Sequence, residues 1–186
     1  MLRIIAGERR GTKLQTLEGS ATRPLRDRVR ESLFNILQGD VPGANVMDLF
    51  AGSGAVGLEA LSRGARHAAF VEGGADARRV VSANIAKMRY DGQSQVVGGM
   101  LPGALSGVKA EAGGFGLIFL MPPYHSGAGQ QTLAALPASG LLAPDPLAVL
   151  ELHKDEALDL PDSWEIERDK AYGITRLLFL RRAVAG

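Results

Sequence analysis

The segment 45–54, with the sequence NVMDLFAGSG, constrains the fold more than any other part of the chain. Its first half is mostly apolar and predicts a buried strand, and the small residues that follow predict a tight turn opening a helix. Glycine lets the backbone approach a ligand closely, and the first turn of a helix offers free N–H groups with positive dipole character. The segment therefore predicts an α/β fold that binds a ligand where this strand ends.

After Pro42 and Gly43 the chain alternates apolar strands with helices, which is typical of a parallel sheet covered on both faces. The predicted strands are 45–49, 68–71, 95–97, 116–120 and 147–152, and the predicted helices are 55–62, 75–88, 103–108 and 129–136. Two further strands, 164–168 and 175–181, predict an antiparallel hairpin at one edge of the sheet. The fold class is α/β with a Rossmann-like sheet.

The N-terminal part of the chain follows a different pattern. Short strand-like pieces at 2–6 and 12–17, separated by Gly7 and Gly11, predict a hairpin or ribbon. Asp27 can cap a helix that runs to about Gln38. We therefore expect residues 1–40 to form an extension of ribbon and helix, and residues 41–186 to form the main domain.

Charge is unevenly distributed along the chain. Residues 1–30 carry eight basic and three acidic side chains, a net charge of +5, although the whole chain has a formal net charge of only +1. A basic end favours a polyanionic partner such as nucleic acid, because lysine and arginine attract phosphates whatever the sequence. A solvated arm with no partner is the alternative.

Length and composition exclude several classes of protein. A chain of 186 residues with 46% hydrophobic and 22% charged residues is typical of one globular domain. It has no cysteine, which excludes disulfides and thiolate metal sites, and its three histidines have no metal-ligand spacing. We find no signal peptide and no membrane-spanning run, so we expect a cytoplasmic protein without a membrane or metal partner.

The glycine-rich turn also predicts the ligand. Gly52, Gly54 and Gly57 match the dinucleotide pattern G-x-G-x-x-G, and Glu72 at the end of the next strand could accept hydrogen bonds from ribose hydroxyls. Asp48 precedes the glycines, where a carboxylate suits the cationic amino-acid end of S-adenosylmethionine and would be unfavourable beside a pyrophosphate. We therefore favour a methyl donor over a nicotinamide or flavin, with Phe50 also at the cofactor.

A second loop predicts the reacting site. The strand 117–120 ends in Met121, Pro122, Pro123 and Tyr124. Ligands of open α/β sheets bind beyond the carboxyl ends of the strands, so this loop should face the methyl group. The prolines stiffen the loop, and Tyr124 offers a flat face on which a base can stack.

These motifs, together with several others, resemble those of one family. The chain is similar to the bacterial small-subunit ribosomal RNA guanine-N2 methyltransferases, called the RsmD family. The resemblance rests on the segments 3–7, 10–11, 23–24, 27–35, 48–54, 57–65, 71–72, 122–124 and 172–173.

The resemblance implies a role for each matching residue. Asp48, Gly52 and Gly54 would hold the methionine part of S-adenosylmethionine and Glu72 its ribose, while Pro122 would position the guanine amine. The basic N-terminal residues would contact ribosomal RNA within the small subunit, with the protein acting as a monomer. These residues are Arg3, Arg9, Arg10, Arg23, Arg26, Arg28 and Arg30.

Two departures from the family pattern each remove a carboxylate. Met121 stands where the family has Asp or Asn, a side chain that accepts a hydrogen bond from the reacting amine. Gly99 and Met100 stand near the position of an expected Gly-Asp that binds the adenine of the donor. We expect weaker donor binding or slower chemistry, and we expect Met121 to pack in the wall of the pocket.

Two other functions remain open. The lost carboxylates favour a catalytically impaired RNA-binding or ribosome-assembly protein, and the Pro-Pro-Tyr loop is compatible with methylation of adenine N6 in DNA. Neither Ser53 nor Ser126 stands in a nucleophile-elbow pattern, so hydrolysis is not predicted. We expect Trp164 to pack in the core or at an edge, and the acidic stretch 151–169 to be a solvated face.

Overall fold

The computed structural model describes residues 1–17 and 27–183, and within them seven strands form one sheet with helices on both faces. The strands are β1 Asn45–Leu49, β2 His67–Glu72, β3 Ser94–Gly98, β4 Phe115–Leu120, β5 Leu142–His153, β6 Trp164–Tyr172 and β7 Thr175–Arg182. The α-helices are α1 Asp27–Ile36, α2 Ala55–Ser62, α3 Ala75–Met88 and α4 Ala128–Ala135. Short 3₁₀ helices lie at Asp91–Gln93, Gly103–Gly107 and Leu136–Ser139.

The order of the strands creates a place for a ligand. The order is β3-β2-β1-β4-β5-β7-β6, with β1 to β5 parallel and the last two strands antiparallel. From β1 the chain runs outward to β3 and then returns to place β4 on the other side of β1. The strand order therefore reverses between β1 and β4, and open α/β sheets bind ligands at this kind of reversal.

The predicted elements are largely confirmed. The bounds of β1, α2 and α3 coincide with the predicted ones, the remaining strands extend somewhat beyond theirs, and β6 and β7 form the expected edge hairpin. The predicted helix 103–108 is wrong as an α-helix, because five residues that include two glycines form only a 3₁₀ turn. Helix α1 ends at Ile36, two residues before the predicted end.

The two faces of the sheet have different coverings. Helices α1, α2 and α3 pack on one face, where Leu33, Leu58 and Val81 join a core cluster with Phe119 of β4. On the other face α4 and the 3₁₀ helices Gly103–Gly107 and Leu136–Ser139 pack in a second cluster around Ile118. Trp164 is buried there and donates its indole N–H to the carbonyl of Leu133 at 3.0 Å, which confirms its predicted role in packing.

The N-terminal segment, residues 1–17, forms a hairpin with little regular strand. The backbone N–H of Ile4 donates to the carbonyl of Thr12 and that of Leu14 to the carbonyl of Leu2, both at 3.0 Å. A single antiparallel bridge joins Arg3 to Lys13. The predicted pieces therefore pair as expected, but the pairing is too short to form a ribbon.

Buried charges join this hairpin to the main domain. Glu59 of α2 is fully buried and accepts hydrogen bonds from the backbone N–H groups of Ile5 at 2.8 Å and Ala6 at 3.0 Å. The guanidinium of Arg63 donates to the same carboxylate at 2.8 Å. Buried backbone donors need acceptors, so Glu59 supplies hydrogen bonds that a short hairpin cannot make for itself.

Arg30 of α1 belongs to the same buried cluster. Its side chain is 0% exposed, donates to the carbonyl of Arg3, and lies 4.0 Å from the carboxylate of Glu59. The prediction that Arg30 contacts RNA phosphates is therefore wrong, because its charge is enclosed by the protein.

Among the residues that the structure describes, no helix is both long enough and apolar enough to cross a membrane.

Candidate active site

A cavity of about 830 Å³ opens at the carboxyl ends of the central strands, where the strand order reverses. Its volume is within the usual range for a small-molecule site. Ten of the residues predicted for the cofactor and the reacting loop line it together. They are Asp48, Phe50, Gly52, Glu72, Gly99, Met100, Met121, Pro122, Pro123 and Tyr124.

The glycine-rich turn provides open space for a ligand. Gly52 has a φ of +56°, and a Cβ atom there would meet nothing within 4 Å. Phe50 also adopts a left-handed conformation, with a φ of +66°, which is uncommon for an aromatic residue and is often found at functional sites.

The other two glycines of the pattern have packing roles. Gly54 begins α2 with a φ of +79°, and a Cβ atom there would lie 2.5 Å from a methyl group of Val81. At Gly57 a Cβ atom would lie 2.4 Å from the ring of Phe70. Gly54 is thus not among the residues that line the cavity, and both glycines allow α2 to pack closely against its neighbours.

Asp48 brings a buried carboxyl group to the wall of the cavity. It is only 1% exposed, and its Oδ2 accepts a hydrogen bond from the backbone N–H of Gly57 at 2.9 Å. Burial raises the pKa of Asp48 to about 7; the hydrogen bond from Gly57 opposes this rise, and the nearby charge of Glu72 adds to it. A cationic ligand would favour the ionised carboxylate here.

Glu72 fixes the loops on either side of the cavity. Its Oε2 accepts from the backbone N–H of Gly52 and its Oε1 from that of Gly74, both at 2.8 Å. A carboxylate has about four lone-pair positions, so Glu72 keeps capacity to accept hydrogen bonds from ligand hydroxyls.

The Pro-Pro-Tyr loop is held by contacts on both sides. Pro122 is buried against α4, where Gly129 leaves room for its ring, since a Cβ there would lie 2.8 Å from Pro122. Ser126 donates to the carbonyl of Pro123 at 2.7 Å, and the backbone N–H of His125 donates to Glu156 at 2.8 Å. Within residues 1–17 and 27–183 the carbonyl of Pro122 accepts no hydrogen bond.

Tyr124 is fixed by its hydroxyl group. The hydroxyl donates to Oε1 of Glu151 at 2.7 Å and lies 2.9 Å from Oγ1 of Thr175. The imidazole of His153 lies near the Tyr124 ring, with a centroid distance of 5.5 Å and a T-shaped arrangement. Burial is the main cause that raises the pKa of Tyr124 to about 12; the hydrogen bond with Thr175 opposes the rise and the carboxylate of Glu151 adds to it, so the phenol stays neutral.

Sequence reasoning missed several residues of the cavity, most importantly Glu151. The prediction that the stretch 151–169 is a solvated face is wrong at its start: Glu151 is 8% exposed and lines the cavity. Glu156 of the same stretch accepts from the backbone of both His125 and His153. The available signal was the position of Glu151, directly after the apolar run 147–150 of a predicted central strand.

The N-terminal segment also reaches the cavity. Thr16 and Leu17 line it, although they were predicted to belong to the ribbon. Asn84 of α3 is fully buried and exchanges hydrogen bonds with the backbone of Gln15, at 2.8 Å and 3.0 Å. Its amide also donates to the carbonyl of Ser53 at 2.9 Å. One side chain thus joins the N-terminal segment to the glycine-rich turn.

The residues predicted to contact RNA have different surroundings. Arg3, Arg10 and Arg28 are exposed, while Arg9 is half-buried with its guanidinium 5.7 Å from the centre of the Tyr90 ring. Arg23 and Arg26 lie outside the described residues.

Metal ligands do not cluster in the part of the chain that the structure describes: no group of three or more His, Asp or Glu side chains there could hold an ion.

This sheet order and this site define a class I S-adenosylmethionine-dependent methyltransferase. The chain belongs to the RsmD family, because the family model described as conserved hypothetical protein 95 matches residues 2–181. Ribosomal RNA small subunit methyltransferase D of Escherichia coli K12 is 34% identical over 186 residues, which cover 100% of this chain and 92% of that protein. The protein of the same name from Haemophilus influenzae is 34% identical, covering 93% of this chain and 90% of its own length.

Solved structures are also similar to this chain over nearly its whole length. The Escherichia coli protein yhhF superimposes with a TM-score of 0.83 at 32% identity, covering 99% of both chains. A hypothetical protein of Thermus thermophilus superimposes with a TM-score of 0.73 at 33% identity, covering 96% of this chain and 98% of that one.

Proposed function

We propose that this protein transfers a methyl group from S-adenosylmethionine to the N2 amine of a guanine in small-subunit ribosomal RNA. The observation that carries the proposal is that one cavity brings together the carboxylates of Asp48 and Glu72 and the Pro-Pro-Tyr loop. The names of the Escherichia coli and Haemophilus influenzae relatives support small-subunit ribosomal RNA as the substrate.

The donor side of the cavity fits S-adenosylmethionine. Asp48 would hold the ammonium group, because a buried carboxyl with one protein hydrogen bond gains most from a cation. Gly52 would let the methionine part approach the backbone, and Glu72 would accept from the ribose hydroxyls. Phe50, Gly99 and Met100 would surround the rest of the donor. The bound donor supplies an activated methyl group on a sulfonium sulfur.

The acceptor side fits a planar amine-bearing base. The carbonyl of Pro122, which accepts no hydrogen bond from the residues that the structure describes, would accept from the amine, and the neutral ring of Tyr124, with its hydroxyl fixed, would stack on the base. These contacts would hold the nitrogen in line with the methyl group, so that direct displacement follows.

The N-terminal part, residues 1–40, would supply the attraction to RNA. Exposed Arg3, Arg10 and Arg28 and the half-buried Arg9 lie in the region that carries the positive charge of the chain. We propose that the protein works as a monomer without a metal, and in the cytoplasm, where ribosomal subunits occur.

The test is methyl transfer from labelled S-adenosylmethionine to small ribosomal subunits that lack this modification, followed by mapping of the labelled base. The matched variant is Met121→Asp, which restores the family acceptor. We expect both proteins to label guanine N2, with the variant at least as fast as the natural protein.

Other outcomes identify the alternatives. Labelling by the variant alone would make the natural protein a binding homologue that has lost its activity. Labelling of adenine in DNA and not of subunits would assign it to another substrate. No labelling by either protein of any nucleic acid would overturn the proposal.

A further inference from the structure

Met121 leaves the acceptor side of the site one hydrogen-bond acceptor short. The exocyclic amine of guanine has two N–H bonds, and its lone pair is delocalised into the ring. It becomes a better nucleophile when both N–H groups donate to fixed acceptors. The carbonyl of Pro122 can accept one, whereas the thioether of Met121 is only a weak acceptor.

The neighbouring strand brings another acceptor to the same place. Strands β4 and β5 are parallel, and Leu120 is paired with Leu150 in their register. Met121 directly follows the end of β4, and Glu151 is the next residue of β5, so they lie next to each other at the carboxyl end of the sheet. Side chains alternate between faces along a strand, so both lie on the face of Phe119 and Val149.

Glu151 has the surroundings of a group that receives a ligand. It lines the same cavity as Met121 and Pro122 while being 8% exposed. Its Oε1 accepts from the hydroxyl of Tyr124, whereas Oε2 has no hydrogen-bond partner in the part of the chain that is described. No Lys, Arg or His of residues 1–17 and 27–183 forms an ion pair with it.

Because the carboxylate of Glu151 is buried, additional hydrogen-bond donors would stabilise its charge. Desolvation is the largest cause that raises the pKa of Glu151, with the nearby charge of Glu156 adding to it, while the hydrogen bond from Tyr124 opposes the rise. A buried carboxylate without a cation is stabilised by any further N–H donor that reaches it.

We propose that Glu151 is a catalytic residue whose Oε2 accepts a hydrogen bond from the target amine, in the role that Met121 cannot fill. This inference rests on the proposed function and names a second hydrogen-bond acceptor for the target amine. Glu151 receives the proton that the nitrogen loses when its lone pair forms the new N–C bond. The electron pair of the broken C–S bond stays on the sulfur of the donor.

The first test compares four proteins for methyl transfer to unmodified small subunits: the natural chain, Glu151→Gln, Met121→Asp, and the double variant. Gln keeps the shape of Glu and an oxygen for Tyr124 but cannot take a proton. We expect Glu151→Gln to lower kcat about 10-fold to 100-fold with little change in KM. We expect Met121→Asp to restore kcat in the double variant, because it supplies a carboxylate from the adjacent strand.

A second pair of variants separates this role from a purely structural one. If Glu151 served only to hold Tyr124, then Tyr124→Phe, which removes the hydroxyl but keeps the ring, would lose as much activity as Glu151→Gln. We expect Tyr124→Phe to lose less than about fivefold, the equivalent of one neutral hydrogen bond of about 1 kcal/mol. Glu165→Gln, the same change at an exposed position of β6 that does not line the cavity, is the matched control and should stay close to the natural protein.

Two measurements do not depend on turnover. The affinity for S-adenosylmethionine, measured by calorimetry, should be the same in Glu151→Gln as in the natural protein. The affinity for small subunits, measured with S-adenosylhomocysteine bound so that no transfer can occur, should also change little in Glu151→Gln, in agreement with a loss in kcat and not in KM.

The outcomes distinguish the two proposals. An active natural protein with an equally active Glu151→Gln variant would overturn the role of Glu151 and leave the proposed function standing. Equal losses in Tyr124→Phe and Glu151→Gln, without rescue by Met121→Asp, would reduce Glu151 to a support for Tyr124. A natural protein and Met121→Asp variant that both fail to methylate subunits would overturn the proposed function, and this inference with it.

Discussion

The buried carboxyl of Asp48 destabilises the folded protein at neutral pH and at the same time suits a cationic ligand. Its carboxyl lies at the end of β1 with almost no access to solvent, and its pKa is raised from 3.8 to about 7. The folded protein therefore retains a proton that the unfolded chain releases above about pH 4. The contribution of this group to stability is present at acidic pH and is lost as the pH rises toward 7.

Asp48→Asn should therefore stabilise the protein at alkaline pH. Asn is neutral at every pH and can still accept from the N–H of Gly57. We expect the free energy of unfolding at pH 8 to rise by up to about 4 kcal/mol, since each pKa unit is worth about 1.4 kcal/mol. Urea unfolding at pH 8 measures this, with the exposed Asp91→Asn as control; equal stability of Asp48→Asn and the natural protein would contradict it.

The same carboxyl should make donor binding depend on pH. Above pH 7 the empty protein already carries the charge that attracts the ammonium group, whereas below pH 7 the carboxyl must first release a proton. We expect the affinity for S-adenosylmethionine to be constant above pH 7 and to fall by up to about 10-fold per pH unit below it. Calorimetry between pH 5.5 and 8.5 tests this, and Asp48→Asn should bind weakly with a flat profile.

At the scale of single residues, functional groups could be predicted from the sequence where they belong to one contiguous motif. The turn around Gly52 and the Pro-Pro-Tyr loop are contiguous, so their chemistry is visible without knowing the fold. Glu151 is not part of a motif, and its role follows only from the register of β4 and β5. The burial of Arg30 was likewise invisible, because its partner Glu59 is distant in sequence and its neighbours at positions 23, 26 and 28 suggested a uniform basic face.

At the scale of elements, the N-terminal hairpin depends on side chains of two helices. It has few backbone hydrogen bonds of its own, and Glu59 of α2 and Asn84 of α3 supply acceptors for it. Apolar periodicity predicted α2 and α3 with their observed bounds. It could not predict which polar residues on these helices would be buried, because that depends on what packs over them.

Asn84→Ala should loosen the N-terminal segment and the cofactor turn together. The substitution removes the partners of both backbone groups of Gln15 and of the Ser53 carbonyl. We expect a loss of about 1 to 3 kcal/mol in the free energy of unfolding, together with weaker S-adenosylmethionine binding. Ser82→Ala on the exposed side of α3 is the control, and a variant with full stability and full affinity would contradict the coupling.

At the scale of the whole molecule, the charge is distributed along the chain so that one end attracts polyanions. Residues 1–30 carry +5 and the remainder of the chain balances most of it. This distribution favours contact with RNA through residues 1–30 and disfavours non-specific contact through the rest of the surface.

Reversing two exposed charges in that region should weaken subunit binding in a salt-dependent manner. We expect Arg10→Glu combined with Arg28→Glu to lower the affinity at low salt and to reduce the slope of log K against log salt by about one for each phosphate that the protein no longer neutralises. Filter binding measures both quantities. Lys109→Glu, near the opposite end of the strands where the backbone N–H of Lys109 donates to Gln95, is the control. A slope that is unchanged in the double variant would remove these arginines from the RNA interface.

Thr16 and Leu17 have a consequence for how the two substrates bind. They continue the N-terminal hairpin and at the same time form part of the wall around the donor. RNA that binds to the N-terminal region and shifts these residues would also change the surroundings of the donor. Such a coupling is reciprocal, so the factor by which RNA changes donor affinity would also be the factor by which the donor changes RNA affinity. A positive coupling would let the ternary complex form readily at donor concentrations that leave the free protein largely unloaded.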